Sequence, residues 1–64
     1  MKLKNTIRVE RAKLRITQKE LAKYCQVSHQ AIQKIENGSH PNLITAFRIA
    51  EYFDCSINDI FKIE

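Results

Sequence analysis

Three residues, Gln26, Val27 and Ser28, are all that separate two predicted helices, one carrying Leu21, Ala22 and Cys25 at helical spacing and the next carrying Ala31, Ile32 and Ile35. A connection this short forces two helices into a tight angled pair. The first helix has a marked start. In Thr17-Gln18-Lys19-Glu20 the Thr17 hydroxyl is placed to accept the backbone N–H of Glu20, while the Glu20 carboxylate reaches back to the N–H of Thr17. Ser28 stands at the head of the second run, where its side-chain oxygen can satisfy an orphan N–H. These signals predict helices over 18–25 and 29–36.

The single Gly38 and single Pro41 fall together in Asn37-Gly38-Ser39-His40-Pro41. Gly38 adopts positive φ cheaply and so suits the position just past a helix end, and Pro41 then prevents a restart before Asn42. Helical spacing also holds before this pair, at Ile7 and Leu14, and after the punctuation, at Leu43, Ala46, Phe47, Ala50 and Phe53, then Ile57, Ile60 and Phe61. Asn42 and Ser56 stand at the heads of the last two runs as caps. The full reading is all-α, with five helices over 5–14, 18–25, 29–36, 43–53 and 57–61. The predicted core draws on Ile7, Leu14, Leu21, Ala22, Ile32, Ile35, Leu43, Phe47, Ala50 and Ile60. Tyr24, Phe47, Tyr52 and Phe53 read as core aromatics rather than base-stacking residues, with Tyr24 the outlier. Met1-Lys2-Leu3-Lys4 and Phe61-Lys62-Ile63-Glu64 each alternate briefly, a pattern that allows a short ribbon of paired N- and C-terminal strands.

At 64 residues the chain reads as one domain over 1–64 with no separate effector domain. A domain of that size buries only about 60% of the surface of its unfolded chain, which leaves little room for a catalytic cleft. No nucleophile–base pair, close carboxylate pair or glycine-rich phosphate loop argues for an enzyme. No apolar run approaches the roughly 20 residues that span a bilayer, and no secretory leader is evident, so a cytoplasmic setting is the default. Cys25 and Cys55 read as buried, reduced thiols. With His29 and His40 they could supply four zinc ligands, but at no spacing that matches a finger or ribbon, so neither metal nor cofactor is expected.

The net charge of +4 is unevenly spread. Residues 1–34 hold nine Lys or Arg against Glu10 and Glu20, a net of +7, while Arg48 and Lys62 are outweighed by five acids in the remainder, a net of −3. The first half suits a polyanion, although a solvated surface would look the same on charge alone.

The run from Gln18 to Gly38 resembles the helix-turn-helix of the Xre family, the lambda-repressor-like and Cro-like regulators of bacteria and their phages. The likeness rests on Gln18-x-x-Leu21-Ala22, the Val27-Ser28 turn, Ile32-x-x-Ile35-Glu36-Asn37-Gly38 and Ile49-Ala50, and it continues to Asp59-Ile60-Phe61. Two positions depart from the pattern. The family usually has Gly where this chain has Gln26, and often Gly where it has Arg15. If those positions keep left-handed geometry, each side chain costs roughly 1 kcal/mol.

The resemblance implies a five-helix lambda-repressor-like fold whose 29–36 helix lies in the major groove of duplex DNA. His29, Gln30, Gln33 and Lys34 would then face base edges. Gln30 can bond adenine N6 and N7 together, Lys34 can donate to guanine O6 and N7, and His29 can donate or pack on a thymine methyl. Phosphate contacts would come from Gln18, at the anion-favouring start of its helix, and from Ser28, Asn37 and the backbone at Gly38. Thr17 and Asn42 are further phosphate candidates whose simpler role is capping. In relatives, residues matching Arg11 and Glu36 pair, which implies an ion pair here. Relatives often dimerise near the C-terminus, which implies an interface at Tyr52, Phe53, Cys55, Ile57 and Ile60.

The function implied is a sequence-specific regulator, in its simplest form a repressor bound as a homodimer to a palindromic operator with half-site centres about 34 Å apart. The alternative is an antitoxin or protein-docking module with secondary DNA binding.

Overall fold

The computed structural model describes residues 2–64. Those residues form strand β1 (Leu3–Asn5), helices α1 (Ile7–Leu14), α2 (Gln18–Cys25), α3 (His29–Glu36), α4 (Leu43–Tyr52) and α5 (Ile57–Ile60), and strand β2 (Phe61–Ile63). The fold is the five-helix arrangement expected, closed by a two-stranded antiparallel ribbon that pairs Leu3 with Ile63, Lys4 with Lys62 and Asn5 with Phe61. Met1, with which the sequence-based ribbon begins, lies outside the described residues. No helix among the described residues is long and apolar enough to cross a membrane.

Helix starts follow the caps. Thr17 and Glu20 make both bonds of their reciprocal box, at 3.1 and 3.2 Å. Ser28 Oγ accepts the N–H of Ala31 at 3.0 Å, and Asn42 Oδ1 that of Thr45 at 2.8 Å. The first helix begins at Ile7 rather than residue 5, because Asn5 ends the ribbon. Its Oδ1 accepts the N–H of Ile7 at 3.1 Å, while its Nδ2 donates to the carbonyl of Ile35 at 2.9 Å. The last helix stops at Ile60 because Phe61 turns into β2.

Helices α1 to α4 end alike. A residue two or three past each helix donates back to the carbonyl five positions earlier: Ile16 to Arg11, Val27 to Ala22, Ser39 to Lys34 and Cys55 to Ala50, at 2.9–3.1 Å. That closure needs a left-handed residue just before the donor, and Arg15 (φ 56°), Gln26 (φ 59°), Gly38 (φ 110°) and Asp54 (φ 55°) occupy the position. Only Gly38 does so without a Cβ, so Arg15 and Gln26 keep the strained geometry that the family pattern assigns to glycine. Ile16, Val27 and Cys55, the residues that follow the three strained ones, pack against the core and offset part of that cost.

The buried core is Ile7, Leu21, Ala22, Cys25, Ile32, Ile35, Ala46, Ile49, Ala50, Ile60 and Phe61. Three expected members lie outside it: Leu14 (53% exposed), Leu43 (68%) and Phe47 (56%). Helix α4 turns Thr45, Ala46, Ile49 and Ala50 inward. Its small alanines let it pack closely, and the larger Leu43 and Phe47 are rotated to solvent. Tyr24 is also exposed rather than core, stacked edge-on against half-buried Tyr52 with ring centres 5.0 Å apart and donating to Glu51 at 2.7 Å. Both cysteines are free thiols, but only Cys25 is fully buried; Cys55 keeps part of its surface exposed.

Candidate nucleic-acid interface

Helix α3 divides by sequence period. Ile32 and Ile35 are buried and Ala31 half-buried, while Gln30, Gln33 and Lys34 are exposed and His29 is partly so. The four expected base-facing side chains thus stand clear of the core, at the start and along the outer face of one helix. Gln18, at the head of α2, meets this row through its side chain, whose Oε1 lies 2.9 Å from His29 Nε2.

Behind the row is a polar cluster centred on Glu36, whose side chain is 1% exposed. Arg11 Nε donates to Glu36 Oε2 at 2.7 Å and its Nη2 to Oε1 at 3.2 Å, while Gln18 Nε2 donates to Oε1 at 3.0 Å. The third guanidinium nitrogen, Arg11 Nη1, reaches the carbonyl of Ile16 at 3.1 Å. Arg8 adds a looser contact to Glu36 at 3.7 Å. A carboxylate at a helix C-terminus opposes the helix dipole, and here cations from α1 compensate. Burial pushes the Glu36 carboxyl up, but the hydrogen bonds from Arg11 and Gln18 and the charges of Arg11 and Arg8 outweigh it and hold the group below its ordinary range. The cluster ties α1, the start of α2 and the end of α3 together. Asn5 adds a fourth tie, from the ribbon to the last turn of α3.

The expected phosphate contacts divide into two sets. Ser28, Thr17 and Asn42 spend their side-chain oxygens on helix caps. Asn37 and Gly38 are exposed at the far end of α3. An open depression at the N-terminus of α2 is lined by Arg11, Ile16, Thr17, Gln18, Lys19 and His29. A second, lined by Lys2, Lys4, Glu36, Asn37, Gly38 and His40 among others, lies at the end of α3. Lys2, Lys4 and His40 had not been foreseen as site residues. The ribbon brings the two lysines there, and their alternation in the first residues was the available signal.

At the expected dimer surface, Tyr52, Phe53, Cys55 and Ile57 retain partial exposure. Ile60 does not: it is 1% exposed in the core, because α5 leads directly into the ribbon, and it has no free face for a partner. An apolar set stands bare on α4 instead, where Leu43, Ile44 and Phe47 are each more than half exposed at i, i+1 and i+4; Val9, Leu14 and Ile63 are exposed elsewhere.

Comparison with known proteins agrees with this geometry. The helix-turn-helix family profile matches residues 7–60. The chain is 44% identical over 63 residues to a protein of Methanocaldococcus jannaschii named as an uncharacterised HTH-type transcriptional regulator, covering 97% of this chain and 96% of that protein. Two proteins of Archaeoglobus fulgidus with the same description are each 40% identical over 60 residues, covering 92% of this chain and 84% and 86% of theirs. These relatives are archaeal, whereas the sequence resemblance had been framed on bacterial and phage regulators.

Proposed function

The chain belongs to the Xre-like helix-turn-helix family of DNA-binding transcription regulators, and from that premise we propose that it is a repressor binding a palindromic operator as a homodimer. The reading takes residues 1–64 as one working unit in the cytoplasm, where Cys25 and Cys55 stay reduced. The observation that carries it is the exposed row of hydrogen-bonding side chains on α3, braced from behind by the Glu36 cluster. His29, Gln30, Gln33 and Lys34 read base edges in the major groove. Gln18 and the N-terminus of α2 take one phosphate, and Asn37 and Gly38, with Lys2 and Lys4 nearby, take another. Thr17, Ser28 and Asn42 contribute through the backbone of the helices that they cap.

Two-fold pairing buries the surface that the monomer leaves apolar. Leu43, Ile44 and Phe47 stand more than half exposed together on α4, an apolar set that a two-fold partner would cover. Three side chains are fewer than the roughly 20–30 residues a side of a standard interface. The half-exposed Tyr52, Phe53, Cys55 and Ile57 add to them in this reading.

Selection from a random duplex pool, followed by sedimentation of the protein on the winning sequence, tests the proposal. An inverted-repeat consensus bound by two chains is the expected outcome. A protein that stays monomeric on every duplex, or recovers no consensus, contradicts it and favours a protein-docking role.

A further inference from the structure

The cluster behind α3 has a direction as well as a shape. An ionised carboxylate accepts hydrogen bonds and donates none, and Glu36 is the buried acceptor for Arg11 and for Gln18 Nε2. The Gln18 amide is therefore fixed with its nitrogen toward Glu36 and its oxygen toward His29. The reverse orientation would set the Gln18 carbonyl against the carboxylate with no hydrogen between them. Gln18 Oε1 is in turn an acceptor, and it lies 2.9 Å from His29 Nε2. A neutral imidazole carries one ring hydrogen, and this contact requires it on Nε2. The second nitrogen, Nδ1, then bears a lone pair. With Nε2 turned onto Gln18, Nδ1 is the nitrogen left for a ligand at the exposed start of α3.

We infer that Glu36, acting through Gln18, fixes the tautomer of His29, so that His29 meets DNA as a hydrogen-bond acceptor and reads an exocyclic amino group, N6 of adenine or N4 of cytosine. It does not read the N7 or O6 acceptors of a purine. Glu36 is thus a positioning residue for specificity that itself touches no base, and the row on α3 sets this imidazole acceptor beside the amides of Gln30 and Gln33, which both donate and accept, and the donor Lys34. The inference rests on the reading of α3 as the base-reading helix.

Two measurements separate its failure from the failure of that reading. In the free protein at about pH 8, where neutral imidazole is the reference form, two-bond nitrogen–hydrogen correlations across the His29 ring are expected to show the hydrogen on Nε2 alone. Glu36→Gln, whose amide both donates and accepts, should relax the ring to a mixture of tautomers. Gln18→Ala, which leaves Arg11 and Glu36 paired, should do the same even if the first variant folds poorly. A hydrogen on Nδ1, a mixture in the unaltered protein, or no response to Gln18→Ala overturns the inference without reference to DNA.

On a selected operator, amino-bearing bases are then replaced one at a time by purine or pyrimidin-2-one, which lack the amino group, or by 7-deazapurines, which lack N7. At one position, loss of the amino group is expected to weaken binding about tenfold, and His29→Ala should abolish that difference. Coupling of His29 to a 7-deaza position instead overturns the inference while leaving sequence-specific binding intact.

Discussion

Replacing Arg11 by methionine and Glu36 by glutamine, singly and together, measures what the buried cluster contributes to the fold. The Arg11 and Glu36 side chains are 17% and 1% exposed, which removes the pair from the class of surface salt bridges contributing about 0–1 kcal/mol. Opposite charges about 4 Å apart at an effective dielectric constant of 20 attract by about 4 kcal/mol, and desolvation offsets part of that. Each single variant leaves a buried or half-buried partner uncompensated and should lose about 3 kcal/mol. For 64 residues the whole stability is about 3–10 kcal/mol, so the loss should be plain in urea unfolding. The double variant should recover about 2 kcal/mol of the summed losses. Methionine also frees the Ile16 carbonyl that Arg11 Nη1 satisfies, but that loss is common to both legs of the cycle and cancels. A coupling below about 0.5 kcal/mol would refute the reasoning. The same carboxyl sets a pH dependence. Its folded-state value is lowered, so its contribution is present above the ordinary glutamate range near pH 4.3 and is lost as pH falls through the lower folded value. Glu36→Gln should flatten that part of the acid limb.

The strained helix ends should respond to glycine. Gln26→Gly and Arg15→Gly each relieve a left-handed side chain and should raise stability by about 0.5–1 kcal/mol, a rise of a few degrees in Tm by calorimetry; a fall in both would contradict the strain argument. Gln30→Ala should cost about 1–3 kcal/mol at one base pair and relax specificity there, whereas Gln18→Ala should weaken binding to all duplexes, both read by titration of selected and scrambled DNA. Phe47→Glu should leave the circular dichroism of the chain unchanged but shift its sedimentation toward monomer and weaken operator binding; an undisturbed dimer would move the interface away from α4.

Much of this fold was legible where the chain uses local chemistry. The bounds of α2 and α3 follow from Thr17, Glu20 and Ser28, because side-chain caps are encoded within four residues. The ends of α1 and α5 were less legible, because Asn5 and Phe61 answer to a strand pairing between the two termini. The face that α4 buries was misread because the helical spacing was run through Leu43 and Phe47. Leu43 and Phe47 share a helix with Ala46, Ile49 and Ala50, and the choice between overlapping faces is made by close approach to α2, which period alone does not encode. At the site, the outer row of α3 could be read from spacing. The bonds from Gln18 to Glu36 and His29 could not, since they join residues 18 and 11 positions apart through the tertiary fold. Nor was the third strained helix end, at Asp54, anticipated, although Cys55 before the cap at Ser56 was its available signal.

The central claim is that α3 reads duplex sequence. Amide shifts of isotope-labelled protein, followed during titration with the selected duplex and with its scrambled counterpart at one salt concentration, test it most directly. The largest changes should fall at Gln18 and from Ser28 to Lys34 with the selected duplex. The scrambled one should perturb mainly the phosphate-facing positions, Gln18, Asn37 and Gly38. Equal changes with both duplexes, or changes centred on Leu43 to Phe47 with α3 undisturbed, would contradict it.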